Sequence, residues 1–130
     1  MMKNTLPSVL AAALGVLMLC GPLLAHHADT EYDRQHPITL RGTVTDFEFV
    51  NPHPHLYFEV KDESGNVEKW IAESGTPPSR MYNSGWRANA LKPGDAVTIT
   101  GSPSKDGRKM MRIRKIVSPS GQTWTEGPGE

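Results

Sequence analysis

Between Ile38 and Val117 the chain falls into five short runs in which apolar and polar residues alternate, each closed by Gly, Pro, Asn or Asp. Alternation with a period of two marks strands with one buried face, and such frequent turn residues leave no space for long helices. The first run, Ile38 to Val50, carries Ile38, Leu40 and Val44 on one parity but Phe47 and Phe49 on the other. A strand cannot change its buried face without an extra residue, so the switch near Thr45-Asp46 predicts a bulge or sharp bend. Asn51-Pro52 ends this run. From His55 to Lys61, Leu56, Phe58 and Val60 face in while Tyr57, Glu59 and Lys61 face out. Asp62 to Asn66 forms a hairpin turn and Val67 to Glu73 returns as strand three. Two further turns, Lys92-Pro93-Gly94-Asp95 and Ser104-Lys105-Asp106-Gly107, lead into strand four (Ala96 to Gly101) and strand five (Met110 to Val117).

Gly75-Thr76-Pro77-Pro78 stops the sheet, and Ser79 is placed to cap a short helical segment. That segment carries Met81, Tyr82, Trp86, Ala90 and Leu91, interrupted at Gly85. The expected fold is all-β: a five-stranded OB-like Greek-key barrel with a short helix between strands three and four. A sandwich or lipocalin plan needs more strands, and the helix decides against an SH3-like barrel. Trp70, Tyr82, Trp86, Met110 and Met111 read as packing residues before they read as a stacking platform or soft metal ligands.

The apolar content bears on how large a core this is. Seventeen apolar residues lie in the first 25 positions, leaving 31 for the remaining 105. Lys3, the uncharged stretch Val9 to Leu19, the breakers Gly21-Pro22 and the small residue Ala25 read as a secretory signal cleaved after Ala25. The apolar stretch is shorter than the about 20 residues of a spanning helix, so no stable membrane span is expected after cleavage. Bulky Leu19 disfavours lipid attachment at Cys20, the only cysteine, and its removal with the signal excludes disulfides and thiolate chemistry. The expected plan is a signal over 1–25, a polar leader over 26–37, a barrel over 38–118 and a tail over 119–130 that frays after Trp124. The expected location is the periplasm, or outside the cell.

Several short motifs stand together: His26-His27 with Tyr32-Asp33, Leu40-Arg41-Gly42-Thr43-Val44, Asn51-Pro52-His53, Gly85-Trp86 and Leu91-Lys92-Pro93-Gly94-Asp95. As a set they resemble a family of short exported bacterial proteins of uncharacterised function. The resemblance spans about His26 to Trp124 and implies a signal-bearing, OB-like single domain, without any assigned activity.

The formal net charge of zero conceals a division. From His26 to Gly75 the balance is −6, and every histidine lies at or before position 55; from Thr76 onward it is +5. Imidazoles in an acidic half favour a cation. Cleavage after Ala25 gives His26 a free amine beside its ring, with His27 offering a competing chelate. His53 and His55, two apart on extended chain, project to one side. Nitrogen donors without thiolates suit copper or zinc, with Asp29 or Asp33 as oxygen donors or ring-orienting partners. The expectation is a small exported binding protein holding copper or zinc through His26, His27, His53 and His55. The plainer account is a solvated leader and a turn whose rings pack on Tyr57 or bond backbone; His36, before Pro37, starts the first strand.

The alternative is an envelope interaction domain that binds a protein, peptide or small anionic ligand without metal. It draws on the basic run at Arg108, Lys109, Arg112, Arg114 and Lys115, with Arg112 and Arg114 as the candidate ligand-binding residues. A charge-guarded strand explains the same run. Nucleic acid is disfavoured as a partner by export and by the acidic half. No nucleophile elbow, zinc-protease helix, phosphate loop or dinucleotide fingerprint is present.

Overall fold

The structure, a computed structural model, describes residues 31–127. Strand β1 (Ile38–Glu48) is long and serves two neighbours. Its first half pairs antiparallel with β4 (Ala96–Pro103), and its second half with β2 (His55–Lys61). The β1–β2 register passes from Val44↔Phe58 to Asp46↔Tyr57, leaving out Thr45. The parity switch is therefore a bulge, and the extra residue allows both Val44 and Phe47 to reach the core. Where β1 leaves β2 for β4, a Cβ on Gly42 would lie 2.5 Å from the Glu59 carbonyl oxygen, so only glycine fits.

Strand β3 (Val67–Glu73) pairs antiparallel with β2, and its last residues, Ile71 to Glu73, run parallel to Met110 to Arg112 of β5 (Met110–Val117). Antiparallel pairing of β5 with β4 completes the circuit. The fold is an all-β, OB-like closed barrel of five strands with one short helix between β3 and β4. Inward residues of every strand (Val44, Leu56, Phe58, Ala72, Ile99, Met111, Ile113 and Ile116 among them) form one continuous core.

The helix differs from its expected form. Helix α1 (Pro78–Asn83) starts after an extended Pro77 that supplies no side-chain cap, and Ser79 lies inside it. Pro78 suits the first helical position, where its missing N–H costs nothing. Gly85, at φ +92°, turns the chain out of the helix. Trp86 then folds back into the core, donating its backbone N–H to the Met81 carbonyl at 3.0 Å and standing edge-on to Phe47. Leu91 is buried from the loop that follows, not from a helix face. Tyr82 is 54% exposed instead of packed, with the Arg87 guanidinium 3.6 Å above its ring.

Both flanking segments are drawn onto the barrel. In the leader, Tyr32 is buried and bridges to Ser104, while Asp33 N–H reaches Pro103 O and Lys105 N–H reaches Glu31 O. In the tail, a sixth strand β6 (Thr123–Thr125) pairs with Lys115 to Val117 of β5 and buries Trp124. One large apolar side chain suffices there because the β5 edge already offers backbone partners. No helix among the described residues is long and apolar enough to cross a membrane.

Candidate functional site

The outer face of β1, β2 and β3 is ordered in rows by strand register. Asp46, Tyr57 and Ile71 stand side by side; the next row is Thr43, Glu59 and Lys69; Lys61 and Val67 follow, with Arg41 exposed beside them on β1. In the opposite direction lies the row Glu48, His55 and Glu73. This face is therefore basic at one end and carries acids around a histidine at the other.

Two clefts open on it and share Glu59. The larger, about 470 Å³, has Tyr57, Trp70, Ile71 and Met110 as apolar and aromatic lining, with Lys69, Arg108 and Lys109 around them. The smaller, about 360 Å³, lies between Arg41, Thr43, Lys61 and Val67, over the glycine at 42. Trp70 stacks on Phe58 at 6.5 Å inside the barrel wall and lies beneath the Lys109 ammonium at 5.3 Å.

The cations of this region fall into two kinds. Lys109 is held by Glu68 at 2.8 Å, and Arg108 by Asp106 at 2.6 Å with Glu31 at 3.8 Å. The hydrogen bonds from Lys109 and the Trp70 indole hold the Glu68 carboxyl below its usual range, and the Ser104 hydroxyl does the same first for Asp106. Arg41, Lys61 and Lys69 make no ion pair or hydrogen bond through their side chains among the described residues, and neither does Glu59. Lys69 and Glu59 stand on the rim of the larger, apolar cleft, and Arg41 and Lys61 line the smaller one.

The basic run on β5 is used differently. Arg112 is only 9% exposed. Its Nη1 donates to the Ser74 carbonyl at 3.0 Å and lies 3.6 Å from Glu73, and its guanidinium lies 5.7 Å from the Tyr32 ring centre. Tyr32 donates its hydroxyl to Glu73 at 3.0 Å; burial, then the Glu73 charge, push its pKa up to about 12. Across the same cluster Glu126 accepts from Gly75 N–H and the Thr76 hydroxyl, and burial raises its pKa although these donors and Arg112 oppose the shift. Arg114 donates to the Ser102 hydroxyl at 3.1 Å and the Arg34 carbonyl at 2.6 Å. Both candidate arginines thus fasten the leader, the barrel and the tail together, and the cations that line the clefts without a partner among the described residues are on β1, β2 and β3. The outward parity of Glu59 and Lys61 was the sequence signal for that face; nothing local marked Arg41 and Lys69 as uncommitted.

His26 and His27 lie outside the described residues. His53 is half-buried beside a buried Pro54, and its Nδ1 has no partner among the described residues. His55 Nδ1 lies 3.8 Å from Glu48, which also accepts the Tyr57 hydroxyl at 3.1 Å. Burial, then this bond, raise the Tyr57 pKa. Among the described residues no three His, Cys, Asp or Glu side chains gather into a metal-holding group. His36 is exposed and its Nδ1 lies 2.9 Å from Asp33, which holds that carboxyl low.

Likeness to solved structures is limited. A complex of TiaS with a transfer RNA and ATP is 23% identical over 64% of this chain, with a TM-score of 0.43, and a ZRD-deleted TiaS mutant with agmatine is 21% identical over 73%, also at 0.43. A tRNA fluorescent labelling enzyme is 24% identical over 64%, at 0.42. The chain spans only 18–23% of the length of those proteins. No curated protein matches it. A family model does match, over residues 13–112, and the chain accordingly belongs to the family of unknown function DUF6152.

Proposed function

We propose that this barrel is a ligand-binding module of the cell envelope whose ligand lies across the outer face of β1, β2 and β3. The observation that carries the reading is the pair of adjoining clefts sharing Glu59, with Tyr57, Ile71 and Met110 as apolar surface and Lys61 and Lys69 unpaired beside them. A ligand that fits has an apolar or ring-bearing part and an anionic part, since few well-placed polar groups in an apolar cleft set orientation. In OB barrels the face of strands two and three, with the loops at its ends, is the usual place for an elongated ligand. The secretory signal read over 1–25 supports export to the periplasm.

Anilinonaphthalenesulfonate combines a ring system with one anion and reports its own burial by fluorescence, so it serves as the probe. The reading predicts saturable binding at one site per chain and about tenfold weaker binding in Lys69→Glu at low salt. Unsaturable binding, or equal binding by the variant, would remove the support for this face.

A second reading, copper or zinc binding, keeps one specific observation: the partnerless Nδ1 of His53 two residues from a His55 that faces Glu48. Calorimetric titration of the exported chain with Cu(II) and Zn(II), repeated on His53→Ala and His55→Ala, tests it; binding that ignores both substitutions counts against these two ligands.

A further inference from the structure

Among the described residues, the seam between β3 and β5 is only partly closed. Strand β3 runs from Val67 to Glu73, but β5 joins it only from Ile71 onward. Ile71 N–H donates to Lys109 O at 3.0 Å, so its backbone faces the β5 side. Alternate residues of a strand direct their N–H and C=O groups the same way, so Lys69 and Val67 also direct theirs to that side. Among the described residues no strand or loop backbone pairs with them there. Val67 is 49% exposed at this edge, and the larger cleft runs alongside it between Lys69-Trp70 and Arg108-Lys109.

From this juxtaposition we infer that an acidic peptide segment in extended conformation adds as a strand to the open Val67-Lys69 edge of β3. The inference rests on the reading of this face as a binding surface, and names the partner. Side chains of an added strand alternate between two faces. One set lies on the outer face beside Lys69, where an acidic residue matches this cation; Lys61 lies a strand further on, on β2, and Arg41 beyond it on β1. The other set turns toward the edge of Trp70 and Met110, where apolar residues fit. A second copy of this chain is a poorer occupant, because edge-to-edge pairing would bring its own Lys69 against that of its neighbour. Open backbone donors and acceptors also favour a peptide over an acidic glycan, which has no ladder to complete.

The test uses the exported full chain and a fluorescein-labelled hexapeptide of alternating Val and Glu. Its expected results are saturable binding by anisotropy, slower hydrogen exchange at the Val67 and Lys69 amides, and about tenfold weaker binding in Lys69→Glu at low salt. Methylating alternate peptide nitrogens blocks the ladder without changing charge and is expected to abolish binding. Equal binding of a Val-Lys hexapeptide, or undiminished binding of the methylated peptide, would overturn the inference. So would a sulfated oligosaccharide that displaces the peptide while both amides exchange as in the free chain. If the anilinonaphthalenesulfonate probe occupies the cleft but the peptide does not bind, strand addition alone fails. If neither binds, the reading of the face fails with it.

Discussion

Replacing Arg112 with Met separates fastening from ligand capture on the basic strand. The substitution removes the charged hydrogen bond to Ser74 O, worth about 1.5–3 kcal/mol. It also leaves the Glu73 carboxylate, largely shielded from water, with Tyr32 as its remaining partner, at a cost of about 1–3 kcal/mol. Against this, the Nε of Arg112 is buried without a partner, and a thioether in its place removes a penalty of about 1 kcal/mol. The net expectation is a loss of about 1.5–5 kcal/mol. For a domain of this size that lowers the melting temperature by roughly 6–40 °C. Urea unfolding followed by tryptophan fluorescence measures it directly, with an unchanged slope marking a true stability change. The variant that remains folded is expected to bind the sulfonate probe as the parent chain does, because Arg112 touches neither cleft. Stability changed by less than about 0.5 kcal/mol, together with lost probe binding, would refute this assignment of Arg112.

Three further outcomes follow from named contacts. Gly42→Ala places a Cβ 2.5 Å from the Glu59 carbonyl oxygen and 2.8 Å from the Phe58 ring, so a destabilisation of about 1–3 kcal/mol is expected in urea titrations, with a displaced Glu59 amide resonance. Trp124→Ala empties the site under β6 and is expected to cost about 3–5 kcal/mol, with faster hydrogen exchange across residues 123–125. Glu126 titrates higher folded than unfolded, so the folded state binds its proton more tightly. Its stabilising effect is complete below the unfolded pKa and is lost as pH rises through the folded one. Relative to Glu126→Gln, the parent chain is therefore expected to lose stability with rising pH across that window, and identical pH profiles would contradict it.

The parts of the barrel legible in the sequence were those governed by neighbours along the chain. The bulge at Thr45 was visible because a change of parity has only one local remedy. The limits of β2, β3 and β5 followed from turn residues and alternation, which act within a few positions. What escaped depends on partners far away in sequence. Tyr32 stands alone in a polar segment, and its burial is decided by Glu73 and Arg112, 41 and 80 positions on. Arg112 and Arg114 sit in a charged, alternating strand that reads as solvent-facing, yet their acceptors are at Ser74, Ser102 and Arg34. Trp124 gave too weak a local pattern to announce β6, because a three-residue strand needs only an edge to lie on. The same limit applies to the site: pattern locates charges, but only packing shows which of them the fold has already used.

The ligand face proposed for this barrel is β1, β2 and β3, and not the arginines of β5. A map of amide chemical-shift changes on adding anilinonaphthalenesulfonate to the protein tests that choice most directly. The expected shifts are concentrated at residues 41–45, 57–61, 67–71 and 108–110, the lining of the two clefts. Shifts centred on Arg34, Ser102, Arg112 and Arg114, with the β2–β3 face unmoved, would contradict it.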